Sequence, residues 1–246
     1  MPISRRRLLG RAAAASAAAL VARTAGAQGR DTRTGALPAS IVALSSMRAQ
    51  ATPITADERR TRIEQARALM KDARLDAVLI PGGTSLTYFA GARWGNSERL
   101  MAVVIPASAT PFVVIPAFEE ERVREQLQGG PLGSAEVHTW QEDESPFARL
   151  SQALRDRGMS TGRLGIEETT KFVFADSLAA AAPALKVASA TPVVAGCRMI
   201  KSDHEVALMR LACRATLACY QAVYAALAPG MTEDDVRALV SAAYGR

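Results

Sequence analysis

Between residues 77 and 190, apolar runs of strand length alternate with segments of helical period, and this alternation restricts the chain to an α/β arrangement. Ala77-Val78-Leu79-Ile80 stops at Pro81-Gly82-Gly83 and reads as a buried strand followed by a turn. Met101–Ile105 and Pro111–Ile115 are joined by a short connection containing Pro106, which predicts a hairpin. The pattern becomes helical over Phe118–Gln128 and breaks at Gly129-Gly130-Pro131-Leu132-Gly133. A strand over Glu136–Trp140, a helix over Pro146–Arg157, a strand over Arg163–Glu167, a helix over Phe172–Ala182 and a strand over Lys186–Ala190 follow. Elements in this order predict a mixed sheet covered by helices on both faces.

Helical segments bracket that region. Thr55 with Glu58 three residues on fits a capping box, and Ile63, Ala66, Met70 and Ala73 then recur at helical spacing, predicting a helix over 56–74. Ser202 with Glu205 starts a second helix, in which Val206, Met209, Cys213, Leu217, Tyr220, Tyr224 and Leu227 mark one apolar stripe. It extends for about 25 residues, or ~37 Å at ~1.5 Å per residue, before Pro229-Gly230 stop it. Thr232 with Asp235 starts a last helix. Residues 28–53 lack periodicity and are expected to be a linker, with order beginning near Ile54.

The first residues read as an address. Arg5-Arg6-Arg7 precede an uncharged alanine-rich stretch over 12–22, and Ala25-Gly26-Ala27 supplies a small-residue exit. The apolar stretch is too short for a permanent transmembrane helix. The paired arginines fit twin-arginine export, and Arg23 beside the exit disfavours the general secretory route. Cleavage after Ala27 and a periplasmic or otherwise exported mature protein are expected, with membrane contact only through this signal.

Residues 1–27 carry five arginines and no acid, so although the whole chain is at +6, the remainder lies within one charge of neutrality. No nucleic-acid partner is therefore expected. Three cysteines exclude a disulfide scaffold, and two histidines exclude a His-rich metal site. Asp203-His204-Glu205 has metal-ligating side chains, but neighbours on a helix point about 100° apart and cannot close on one ion. Glu205 is expected to cap, and Asp203 to complement the helix dipole. Cys213 and Cys219 are six residues apart, beyond the reach of an intrahelical disulfide, and with Cys197 are expected to be small, semi-buried residues. The acids Glu119, Glu120, Glu121 and Glu125, like Glu233, Asp234 and Asp235, are expected to be solvated helix surface. Tyr88 to Asn96 reads as a glycine-rich loop beyond a strand end, a frequent place for ligands, with three aromatics and Arg93. The competing reading puts Tyr88 and Phe89 in the core and leaves Trp94 as a lone surface aromatic.

Leu75–Ile80, Leu86–Gly91, Arg163–Glu167, Arg198-Met199-Ile200-Lys201-Ser202 with Glu205, Met209, Arg210 and Ala212, and Ala228–Glu233 follow one another in order along the chain. Together these segments resemble the pita-bread metallopeptidase family, which includes Xaa-Pro aminopeptidase, prolidase and creatinase. After the signal peptide at 1–27 and the linker at 28–53, the resemblance implies a creatinase/prolidase-like α/β N-terminal domain at 54–200 and the start of an incomplete pita-bread catalytic domain at 201–246. The family holds two divalent ions, often manganese, cobalt or zinc, on two aspartates, a histidine and two glutamates located beyond this point. The ions activate a water that attacks the peptide bond before proline. No catalytic residue and no metal ligand is therefore expected in these 246 residues, and the chain alone is expected to be inactive. The Tyr88–Arg99 loop resembles a part that reaches a neighbouring subunit's active site in family dimers, which makes Arg93, Trp94 and Arg99 the candidate substrate-binding residues.

An Xaa-Pro-type peptidase acting on proline-containing peptides, working as a homodimer, is thus the leading expectation. A creatinase-like enzyme acting on a small non-peptide substrate and a non-catalytic binding or dimerisation module are the alternatives. Without a sheet to cover it, the stripe on the long helix is expected to drive self-association.

Overall fold

The computed structural model describes residues 36–246, so the expected signal peptide lies outside the described residues. They form two compact units, one of Met47–Cys213 and one of residues 36–46 with Arg214–Arg246. In chain order the helices are α1 (Ala39–Val42), α2 (Ala56–Ala73), α3 (Thr84–Ala90), α4 (Glu120–Leu127), α5 (Pro146–Arg155), α6 (Phe172–Ala181), α7 (Thr191–Met199), α8 (Asp203–Ala226) and α9 (Glu233–Tyr244). The strands are β1 (Ala77–Pro81), β2 (Ala102–Pro106), β3 (Phe112–Pro116), β4 (Glu136–Trp140), β5 (Gly162–Ile166) and β6 (Leu185–Ser189).

The larger unit is built on one sheet in the order β4-β3-β2-β1-β5-β6. Only β2 runs against its neighbours, pairing Val78 with Ile105 and Val103 with Val113, while β3/β4, β1/β5 and β5/β6 are parallel. The first three strands each end in proline, which has no N–H to leave unpaired at a strand end. Successive side chains on a strand point to opposite faces, so these runs feed two cores. Val78, Ile80, Val103, Ile105, Val113 and Ile115 meet α2, α3, α4 and α7 on one side. Ala77, Leu79, Ala102, Val104, Phe112 and Val114 meet α5 and α6 on the other. This is the mixed α/β sheet covered on both faces that the alternation predicts, with Thr55 and Glu58 in a reciprocal capping box at the start of α2.

In the smaller unit Ile41 is fully buried among Cys219, Ala222, Val223 and Ala243, and the Ser40 hydroxyl donates to the Ala222 carbonyl at 2.8 Å. Two expectations are corrected here, on the linker and on Cys213. Residues 39–42 and Arg48–Gln50 are helical turns where a linker was expected, because Ile41 is held by residues far along the chain that no local period reveals. The face of α8 packed within this unit carries Cys219, Ala222 and Val223, and Leu217, Tyr220, Tyr224 and Leu227 of the apolar stripe are exposed, as expected of a stripe with no sheet to cover it. Small side chains let neighbouring elements approach closely, and an apolar period alone does not say which of two apolar faces they choose. Cys213 is exposed, not semi-buried, while Cys197 and Cys219 are buried; all three thiols are free. No helix of the described residues is long and apolar enough to cross a membrane.

Candidate functional site

The ends of β1 and β5 converge on a switch point. The chain leaving β1 enters α3 on one face of the sheet, and the chain leaving the adjacent parallel strand β5 enters α6 on the other. Connections that diverge in this way open a crevice at the carboxyl ends of the strands, the usual ligand position in an open α/β sheet. Here polar side chains fill it. The Ser85 hydroxyl, in the first turn of α3, donates a short hydrogen bond to Glu167 Oε1, just beyond β5, and accepts one of 3.0 Å from Arg198 Nη1 in the last turn of α7. Ser85 and Glu167 are both buried. Removing one partner from a buried hydrogen bond costs more than the bond itself contributes. Glu167→Ala is therefore expected to lower stability by about 1–3 kcal/mol, with Glu167→Gln, which keeps an acceptor for Ser85, losing less; urea unfolding of the two variants measures the difference.

Beside this cluster an open hollow of about 340 Å³ is lined by Tyr88, Ala195, Arg198, Met199, Lys201 and Glu205. The Tyr88 hydroxyl donates to the Cys197 carbonyl at 2.8 Å, and the Arg62 guanidinium stacks 4.0 Å from the Tyr88 ring centre. Arg62 also donates to Glu205 Oε1 at 2.8 Å, and both side chains are largely covered, 11% and 15% exposed. Burial pushes the Cys197 thiol up to about 11, so it is protonated at neutral pH and unsuited to act as a nucleophile.

The loop with the expected substrate-binding residues follows α3. Tyr88 and Phe89 belong to that helix, a correction to the reading of 88–96 as loop, and they meet edge to face with ring centres 4.9 Å apart. Local sequence conceals this two-turn helix because its ends are set by backbone geometry at glycines, Gly83 with φ 129° and Gly91 with φ 80°. Trp94 is only 8% exposed and packs in the core under the Arg122 guanidinium, 4.2 Å from its ring. Arg93 is exposed, and its backbone N–H donates to Gln126 Oε1 at 2.7 Å. Arg99 pairs with Glu98 and Glu142 and lies over the Phe118 ring at 5.6 Å. Lys171 Nζ holds the Ser97 carbonyl at 2.9 Å, and Trp140 Nε1 holds the Leu100 carbonyl at 3.1 Å. The three expected residues thus share one loop, fastened along its length, and have different neighbours.

Asp203-His204-Glu205 opens α8 as a capping element: Ser202 N donates to Glu205 Oε2 at 2.8 Å, and Glu205 N donates to Ser202 Oγ at 3.2 Å. Among the described residues no three His, Cys, Asp or Glu side chains are grouped so as to hold a metal ion. Glu119 and Glu120 pair with Arg122 and Arg124 on α4, Glu233 and Asp234 pair with Arg237 on α9, and Asp235 caps α9 through Thr232.

Sequence reasoning did not single out Ser85, Glu167 or Arg198 as a group. The one local hint is Glu167 itself, a carboxylate that directly follows the strand run Leu164-Gly165-Ile166 where an apolar residue would fit the crevice.

The creatinase/prolidase N-terminal domain model matches residues 62–200. A probable dipeptidase, PepE, of Mycobacterium tuberculosis is 32% identical over 182 residues, which cover 74% of this chain and 47% of that protein. An uncharacterised peptidase of Schizosaccharomyces pombe is 29% identical over 214 residues, covering 82% of this chain and 46% of that one. The crystal structure of dipeptidase PepE from Mycobacterium ulcerans superposes with a TM-score of 0.69 at 29% identity, covering 79% of this chain and 51% of that chain. The chain spans about half the length of the curated relatives it matches. On the matched model, on these relatives and on the six-stranded mixed sheet, the chain belongs to the creatinase/prolidase N-terminal domain family.

Proposed function

We propose that this chain is the substrate-framing N-terminal part of an exported Xaa-Pro-type peptidase, with residues 201–246 opening its pita-bread catalytic domain. The observation that carries this reading is the 32% identity with a probable dipeptidase over 182 residues, a match longer than the N-terminal domain model alone. The family resemblance implies two divalent metal ions, but the described residues offer no donor set that fits one. No chemical step is therefore assigned to them. Their work is to hold, orient and exclude. Arg93 presents an exposed guanidinium suited to a carboxylate or carbonyl of a peptide, while Trp94 and Arg99 keep the 91–101 loop in place through Arg122, Glu98 and Glu142. In a homodimer that loop would face the neighbour's site. The arginine-led, alanine-rich start of the chain supports twin-arginine export and a periplasmic mature protein.

The test is hydrolysis of Xaa-Pro and matched Xaa-Ala dipeptides, with manganese, cobalt or zinc, by the 246-residue chain and by the product of the gene's full reading frame. Proline-selective turnover by the full product, weakened on Arg93→Ala chiefly in KM, is the expected result. Turnover of creatine or another non-peptide in place of dipeptides would replace this reading with the creatinase-like one. Metal-dependent turnover by the 246-residue chain alone would overturn the assignment of a purely framing role. If neither product turns over any substrate, the chain is a binding or dimerisation module.

A further inference from the structure

Both ring nitrogens of His204, in the first turn of α8, face groups that can only accept. Nδ1 lies 2.6 Å from Glu58 Oε1 on α2, and Nε2 lies 3.0 Å from the backbone carbonyl of Thr52, in the segment leading into α2. A neutral imidazole carries one N–H and can satisfy one of these; only the imidazolium satisfies both. Glu58 is itself shared, since its other oxygen accepts from the backbone N–H and the hydroxyl of Thr55 in the capping box of α2. That backbone hydrogen bond first, and His204 second, hold the Glu58 carboxyl down at about 2, so it is ionised throughout the neutral range. We propose that His204 is a proton-dependent latch: as imidazolium it fastens the start of α8 to both α2 and the segment before it, and on losing a proton it releases one of the two.

The other charges acting here are Arg62 and Arg59, both on α2: Arg62 faces His204 and is paired with Glu205 of α8, and Arg59 acts on Glu58. Arg62 opposes a positive imidazole, but the Glu58 hydrogen bond outweighs it, and the His204 pKa is raised, with the Thr52 carbonyl helping. The sign follows from linkage. A histidine whose folded pKa is raised contributes stability in full below its ordinary value near 6.5, and that contribution is lost as pH rises through the folded value. The latch is therefore closed in mild acid and opens as pH rises through the raised His204 midpoint. Deep acid, near the Glu58 midpoint of about 2, opens it from the other side. His204 and Glu205 attach consecutive residues to the same face of α2, so the latch acts where α8 sets out from the larger unit.

The chain has only two histidines, so an NMR titration of their ring protons reads each directly. His204 is expected to titrate above 6.5 and His138, which burial pushes down, below it. Glu58→Gln should move His204 back toward 6.5, whereas Thr55→Ala, which weakens the same helix cap without touching His204, should leave it raised. Amide exchange at residues 203–206, corrected for intrinsic rates, should accelerate between pH 6 and pH 9 in the native chain. That acceleration should be absent from His204→Gln, whose donors do not change with pH. A native His204 midpoint at or below 6.5, or one unmoved by Glu58→Gln, overturns the latch even if a variant folds poorly. Exchange that accelerates equally in the native chain and in His204→Gln overturns it as well.

Discussion

Phe112→Ala is expected to destabilise the Met47–Cys213 unit by about 3–5 kcal/mol, the range for truncating a fully buried aromatic side chain. Phe112 is completely buried at the start of β3, between β2 and β4, and three kinds of contact converge on its ring. It lies within the core formed with α5 and α6, it meets His138 edge to face with centres 5.4 Å apart, and the Arg157 guanidinium covers it at 4.1 Å. Arg157 also donates to the Ala153 carbonyl at 2.9 Å and pairs with Glu136. Removing the ring therefore opens a cavity and leaves a guanidinium and an imidazole without their apolar surface. Both tryptophans of the chain, Trp94 and Trp140, are buried in this unit, so fluorescence during urea unfolding follows its transition. Phe118→Ala, at a side chain 65% exposed, should stay within about 0.5 kcal/mol of the parent. A Phe112→Ala loss no larger than that of Phe118→Ala would show that this face of the sheet is not closed by a packed core.

Gly82→Ala is expected to cost about 3 kcal/mol, at the upper end of what overpacking does, because the added methyl meets backbone and not a movable side chain. A Cβ on Gly82 would stand 2.6 Å from the Gly95 carbonyl oxygen and 2.8 Å from that of Trp94. Either the turn after β1 or the loop beyond Arg93 must move. The substitution thus couples stability to the proposed substrate-framing loop, and displacement of the loop should take the Trp94 indole out from under Arg122. The expected signature is a lowered unfolding midpoint together with a red-shifted, more quenchable tryptophan emission in the folded state. Gly95→Ala is the control, since a Cβ there meets nothing within 4 Å. An unchanged midpoint and emission in Gly82→Ala would mean that the loop does not rest on the turn as described.

Much of the fold was legible because its causes are local. The Thr55/Glu58, Ser202/Glu205 and Thr232/Asp235 pairs each span three residues, and all three form caps at helix starts. The strand runs ending at Pro81, Pro106 and Pro116 carry enough β-branched residues to be recognised without knowledge of their partners. Helix α7 went unread although Pro192 in its first turn is a regular start signal, because the segment before Met199 has no clear polar face of its own. The Tyr88–Arg99 segment was half legible: Arg93 and Arg99 lie in a loop as expected, but Trp94 is an anchor in the core and Tyr88 part of a helix.

What the amino-acid sequence determined by itself was the succession of strands with the helices between and around them except α1, α3 and α7, the caps at Thr55, Ser202 and Thr232, and the family, since each of these rests on patterns within a few residues or on short motifs in order. The tertiary structure alone decided which groups meet at the switch point and which face of α8 packs within its unit. Ser85 finds Glu167 across 82 residues and Arg198 across 113, and His204 finds Glu58 across 146. Contacts at such separations depend on the sheet order and on which side each connection takes. Those are set by the burial of both sheet faces at once, a property of the assembled core that no single segment carries.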